Sequence, residues 1–560
     1  MQITDVVAPT EERASRGSAL SRWVGIAILF LVGALVLQVF FEGWLVTWFG
    51  TRTTDAQGLV FVEQAGWPKT VKITLYVILF VLTAVKFTVD RAWHTLTTKA
   101  DIALLVLGVV MAVAGVVGGS SALLIGQALF VYFRGVIVFY AFRALRPSWA
   151  QVKPLLWIGG TIVAVNTLIG VVQFWVGESA YTALGWVDPK WISENRAHGL
   201  LEHPNDLGHL ASFMLLGLLS WFMTTERVAK RWWFLYALIC VAVSVAQSRQ
   251  SMVAVIAAFA AVALLRRNRW KRLILAGTVF VFIASLPVIM SPDNRANLAY
   301  RLGGAFNALL LWGGYSAEEC RRDPRCSGPG DAEIRLVYIP QGLKLFAASP
   351  VLGYGVGQFG GIVAVRADEE WNKDPRFVEV LGPEGFDLHD FIAVSVDVFW
   401  LHLLVEVGAL GMIAYLVWMW FVSSPMVRLA WRRGPPRESA TSADPIYVWA
   451  AATLVFALLT AAWSPVLEDP VFPPLMFAVL GFGWVLWQRG SLPNGDTVRA
   501  GGSAQPGGSA QQGGSAQSGG SAQPGGPAQP GGSAQQGDPS PQVAVQKRAA
   551  AHEQEVERCD

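Results

Sequence analysis

Apolar residues in this chain come in long unbroken runs, about 20 residues at a time, separated by short polar and basic loops. The hydrocarbon core of a bilayer is about 30 Å thick and needs about 20 mostly apolar residues per helix, so each run reads as a membrane span. Eight runs lie near 20–41, 71–89, 102–118, 122–142, 154–176, 206–224, 232–248 and 251–265. Four more lie near 272–290, 396–421, 446–466 and 471–488. The pattern predicts an all-α integral membrane protein of about 12 transmembrane helices, with the two shortest runs, 232–248 and 251–265, readable as one re-entrant pair. The first run is long and no small-x-small cleavage pattern follows it, so it reads as a span and not a removable leader.

Between the runs, every second loop is basic. Arg13, Arg16 and Arg22 precede the first span, and Arg91 with Lys99, Arg143 with Arg146, Arg227 with Lys230, Arg266 with Lys271, and Arg428 with Arg437 mark the alternate loops that follow. The short intervening loops are poor in Lys and Arg. This asymmetry predicts both termini in the cytoplasm and puts 177–205, the turn around Arg249 and the loop 291–395 on the outer face.

The domain reading is then a cytoplasmic N-terminus (1–19), helices 1–9 (20–290), a large periplasmic loop (291–395), helices 10–12 (396–488) and a tail (489–560). Six hexapeptides of the form GG(S/P)AQ(P/Q/S) fill 501–536, with nothing apolar enough to offset the entropy of ordering, so the tail reads as disordered.

Composition agrees: 53% of the 560 residues are hydrophobic and 15% charged, which excludes an ordinary soluble domain. The net charge of +3 is accounted for by topology and carries no signal for nucleic acid. Cys320 and Cys326 fall in the large outer loop, where either a local disulfide or two free thiols would fit.

One stretch departs from the apolar pattern. In "ENRAHGLLEHPNDLGHLASFMLL", Arg196, His198, His203, Asn205, Asp206 and His209 crowd the start of the sixth run. Asn205 or Asp206 is explained as a helix cap with Pro204 in the first turn. The other polar residues are not. The histidine spacings match no zinc motif, so no metal is expected. Arg134 sits near the middle of the fourth run, where an arginine costs about 2.5–3.5 kcal/mol and needs either a buried acid or a polar cavity. Arg196 and Arg249 are expected at one membrane face, where two guanidinium groups suit a phosphate or pyrophosphate.

Four motifs follow in order: R-x-x-G then H-P-N-x-x-G (Arg196, Gly199, His203, Pro204, Asn205, Gly208); Ser248-Arg249; P-x-x-G-x-G-x-G-x-F (Pro350 to Phe359); and L-x-x-L-x-E-x-G (Leu401, Leu404, Glu406, Gly408). Together they resemble the superfamily of bacterial O-antigen ligases and O-antigen or exopolysaccharide polymerases, over about 190–415.

The resemblance implies a GT-C-like membrane enzyme of the bacterial inner membrane with its active site facing the periplasm. It would be a metal-independent, inverting glycosyltransferase without cofactors, acting on an undecaprenyl-pyrophosphate-linked glycan, with other polysaccharide-assembly proteins as partners. By carry-over Arg196 and Arg249 bind the donor pyrophosphate, and His198, Asn205, Arg134 and Glu406 complete the substrate site. Ligases of the family carry His-Asn ahead of E-x-G, but the matching position here is Asp397. Asp397 is therefore the first candidate for the base, its pKa raised by desolvation at the membrane surface. His389 is the second. His402 is the third, although four residues before Glu406 it reads better as half of a structural His–Glu pair. Polymerase-like members tolerate loss of the histidine more readily, which favours a polymerase over a ligase acting on lipid A-core. Twelve spans also describe secondary transporters and lipid-linked oligosaccharide flippases, but no pair of Gly/Pro-interrupted segments recurs in the two halves.

Overall fold

A computed structural model describes residues 9–54, 60–63, 65–186, 196–290, 295, 334–387, 395–431 and 444–491. Each of the twelve apolar runs falls on a helix. In chain order these are α1 (Pro9–Trp48), α2 (Trp67–Val89), α3 (Lys99–Val117), α4 (Ala122–Leu145) and α5 (Trp149–Val176). After the short α6 (Glu178–Ala183) come α7 (Pro204–Thr224), α8 (Lys230–Ala246), α9 (Arg249–Leu265) and α10 (Trp270–Met290). The outer-loop helices α11 (Ile334–Ala348), α12 (Ile362–Ala367) and α13 (Pro375–Leu381) lead to α14 (Phe399–Trp431), α15 (Asp444–Thr460) and α16 (Phe472–Ser491).

Eight helices among the described residues are long and apolar enough to cross a membrane. α9 and α15 are apolar but have only 17 residues each, about 26 Å of rise, just under the hydrocarbon thickness. The 232–265 run is two separate helices, parted at Gln247 in the left-handed conformation (φ 49°). The all-α expectation needs one correction: β1 (Thr51–Thr54) pairs antiparallel with β2 (Val60–Glu63), Thr51 opposite Glu63. β-branched residues in "TRTT" and "VFVE" favour strand, and both stretches lie in a segment too polar to register as a span.

Large side chains such as Trp23, Phe30, Leu105, Trp157 and Phe234 are at least 60% exposed, as expected of helices that face lipid. Two close charge pairs lie inside the bundle. Lys72 Nζ lies 2.6 Å from Glu42 Oε1, linking α2 to α1, and Arg143 pairs with Asp101 between α4 and α3.

The two sets of loops gather at opposite ends. At the basic end, arginines cover helix-terminal carbonyls: Arg266 donates to Ala430 O (2.6 Å), Arg272 to Phe222 O (2.9 Å) and Arg489 to Arg146 O (2.6 Å). At the other end, Trp44 N donates to Leu200 O (3.2 Å), Ser120 Oγ to Val356 O (3.0 Å) and Arg376 to Gly118 O (2.8 Å). The loops of the other set therefore meet one another, as the alternation predicts.

The described part of the large loop has its own apolar core of Tyr338, Leu345, Phe359, Trp371, Phe377 and Phe386. Cys320, Cys326 and the hexapeptide tail lie outside the described residues.

Candidate functional site

Two polar groups occupy the end opposite the basic short loops. The first forms where the irregular, turn-containing segment 196–203 enters α7. His203 caps the helix, its Nδ1 accepting from Asn205 N at 3.0 Å, and Pro204 opens the first turn. That cap leaves the Asn205 side chain free to accept from Arg196 Nη2 at 3.0 Å.

Next door, Ala197 N donates to Val245 O (3.1 Å), tying the segment to the end of α8. A Cβ on Gly208 would lie 2.7 Å from Ser248 Cβ and 2.9 Å from Ser251 Oγ, so only glycine lets α7 approach the α8–α9 turn this closely. Arg249, the first residue of α9, is exposed on that turn. The segments bearing Arg196, Asn205 and Arg249 thus meet at one rim.

His198 does not join them. It is 1% exposed, with Nδ1 2.8 Å from Leu201 O and its ring 4.4 Å from Trp186 and 5.4 Å from Tyr181. The side chain pins the loop from inside. Burial pushes its pKa down to about 4 despite the Leu201 carbonyl, which favours the charged form. The unfolded histidine has the higher value of about 6.5, so stability from the neutral ring is complete above that value and is lost as pH falls towards 4. At pH 5 the expected loss is about 2 kcal/mol. A His198→Gln chain should show a smaller drop in melting temperature between pH 7.5 and 5 than the unsubstituted protein. An equal drop would assign the acid sensitivity elsewhere.

The second group lies around a break in α14. Gly408 (φ 63°) interrupts the helix, which releases carbonyls behind it and N–H groups ahead of it. The glycine-rich segment takes them: Tyr354 N and Gly355 N donate to Val405 O and Glu406 O (both 2.9 Å), while Ala409 N and Leu410 N donate to Pro350 O (2.8 Å) and Val351 O (3.2 Å). Irregular backbone inside a span is tolerated only when protein satisfies it in this way.

Glu406 is fully buried. Its Oε2 accepts from Tyr132 Oη (3.1 Å), its Oε1 from Phe359 N (3.2 Å), and His402 Nε2 makes an unaligned ionic contact with Oε1 at 3.1 Å. The His402–Glu406 pair predicted from i,i+4 spacing is therefore present. His402 Nδ1 also meets Glu468 Oε1 at 2.5 Å, and the Glu468 carbonyl accepts from Arg134. Where the sequence left a buried acid or a polar cavity open for Arg134, the side chain binds a backbone oxygen, and with Glu406 it belongs to an enclosed network.

Asp397 stands just before α14, its side chain 45% exposed. Arg335 Nη2 lies 3.2 Å from Oδ2 and Ser395 Oγ donates to Oδ1 at 3.3 Å. The deep burial that a desolvation argument requires is absent. His389 lies outside the described residues.

Sequence reasoning missed Tyr132, Glu468 and Asp469. The last two stand in "SPVLEDPVFPP" between the eleventh and twelfth runs, where two adjacent acids in a short proline-framed loop were the available signal.

A bundle of long apolar helices with loops of like charge sorted to opposite ends, and one of those ends carrying a polar site, defines a multi-pass membrane protein. The O-Antigen ligase family model matches residues 234–416, and three of the four motifs fall within that range. Residues 234–416 are therefore similar to the O-antigen ligase family, in line with the superfamily resemblance of the motifs. No match is found among curated proteins.

Proposed function

We propose that this protein transfers glycan from an undecaprenyl-pyrophosphate-linked oligosaccharide at the periplasmic face of the bacterial inner membrane, through twelve spans, and that it polymerises repeat units of an exopolysaccharide or O-antigen. The observation that carries the reading is the Arg196–Asn205 contact at the rim that also bears the exposed Arg249. Two guanidinium groups at a bilayer surface match a pyrophosphate in charge and in fork geometry.

In this reaction the acceptor hydroxyl attacks the anomeric carbon and inverts it. The sugar–phosphate C–O bond breaks, and its electron pair leaves with the pyrophosphate. Arg196 and Arg249 stabilise that charge, and Asn205 holds Arg196 in place. Asp397 takes the hydroxyl proton, with Arg335 beside it to orient the carboxylate. Glu406 and Arg134 act from inside the protein by fixing the broken helix and its loop. No step passes through a metal. Transfer to lipid A-core is the second reading, favoured by the family description itself.

Gel analysis of surface polysaccharide in a strain lacking the gene separates the two. Lipid A-core carrying a single repeat identifies a polymerase, and bare core with accumulated lipid-linked polymer identifies a ligase. Unaltered polysaccharide would overturn both. Complementation with Asp397→Asn should fail if that carboxylate is the base; full rescue would assign the proton to another group.

A further inference from the structure

Three side chains that this reaction does not use lie together between the two polar groups. Asp206 and His209 stand one turn apart on α7, and Asp469 belongs to the loop before α16. One oxygen of each aspartate and one ring nitrogen of His209 all lie within 4.8 Å of one another. The loop holds Asp469 in place through Val471 N, which donates to its Oδ1 at 2.7 Å.

His209 is the telling residue. It is 1% exposed, the rings of Phe456 and Phe472 stand 6.2 and 6.4 Å away, and neither Nδ1 nor Nε2 has a hydrogen-bond partner. A neutral imidazole carries one N–H and one lone pair in either tautomer, so a lone pair is buried beside two carboxylates with no donor to meet it. Buried polar atoms without partners are rare in native proteins and point to something that completes them.

We propose that Asp206, His209 and Asp469 form a divalent-cation site. Two carboxylates and a neutral imidazole around a doubly charged ion make a neutral unit, which suits the apolar wall of the bundle. One nitrogen and two oxygen ligands select Mn²⁺ or Zn²⁺ over Mg²⁺, which prefers oxygen alone and retains its waters. Three protein ligands leave coordination positions open. The ion would tie the start of α7, where Asn205 holds Arg196, to the loop before α16. It would also neutralise two acids that otherwise repel an anionic lipid.

The test uses the full-length protein purified in detergent, stripped with EDTA and kept free of lipid-linked sugar. Metal content after Zn²⁺ loading and desalting, and Mn²⁺ titration followed by electron paramagnetic resonance, should each give one ion per chain. His209→Leu and Asp469→Asn should each weaken binding at least tenfold, and the metal should raise the melting temperature of the unsubstituted protein but not of the variants. Should His209→Leu not fold, Asp469→Asn, which keeps the shape of the side chain, decides alone. Absence of stoichiometric metal in the folded unsubstituted protein, or equal binding in the variants, would overturn the site and leave a proton shared between the aspartates. Because no donor is present, stoichiometric binding in a protein whose loss leaves polysaccharide unaltered would keep the cation site and remove the transferase reading.

Discussion

Chains carrying Arg196→Ala or Arg249→Ala should reach the membrane at ordinary levels and lose glycan transfer by about 10²–10³-fold, the usual consequence of removing one preorganised donor from a developing anion. The separation of activity from stability follows from where these residues sit. Arg249 is exposed and Arg196 half-buried at the rim, so neither substitution empties a packed core. Arg196→Ala removes the side-chain hydrogen bond to Asn205, worth about 1 kcal/mol net. Lysine at either position keeps the charge but not the planar fork, so partial activity is expected there. Polysaccharide chain length read on a gel, beside protein abundance in the membrane, measures both quantities. Normal chain length in both alanine variants would refute donor binding at this rim.

The opposite signature is expected at the helix break. Gly408→Ala and Gly353→Ala should each lower stability by on the order of 3 kcal/mol or more and deplete the folded protein. Both glycines adopt left-handed backbone (φ 63° and 67°), which costs other residues about 1–2 kcal/mol. A Cβ at Gly408 would lie 2.3 Å from Val351 O, and one at Gly353 would lie 2.3 Å from Val405 O. Neither backbone can move aside without giving up the hydrogen bonds that satisfy the other. Gly126 in α4, where a Cβ would meet nothing within 4 Å, supplies the control: alanine there should be neutral or stabilising. Thermal unfolding in detergent, followed by size-exclusion chromatography, reads all three. A Gly353→Ala chain as stable as the control would show that the docking of loop and helix contributes little.

Much of the architecture was legible in the sequence because the bilayer imposes it. A span must be apolar for about 20 residues, and its loops must sort by charge, so both features appear locally in the chain. The crowding at 196–209 was legible for the same reason, since charged groups beside an apolar run need an explanation. Its resolution was only partly so. Arg196 and Asn205, nine residues apart, do meet, whereas His198 turned inward because Tyr181 and Trp186 offer it an apolar wall.

What stayed hidden depends on contacts between distant segments. His402 signals Glu406 by helical spacing, but nothing local signals Glu468, 66 residues away, or Tyr132, 270 residues away. The Gly-rich segment stood out in the sequence only as a motif. Its role as the partner of a broken helix could not be seen, because "E-x-G" inside an apolar run shows no sign of interruption. The hairpin at 51–63 was missed because a polar stretch between spans was scored only for what it lacked.

The interlock of the glycine-rich loop with α14 also sets an order of events during synthesis. Residues 350–355 emerge from the ribosome some fifty residues before the carbonyls of Val405 and Glu406 that their N–H groups meet. Until α14 arrives, that half of the site waits on water for its partners. A nascent chain that ends before Phe399 therefore already holds most of its apolar helices, yet its glycine-rich loop has nothing to dock on.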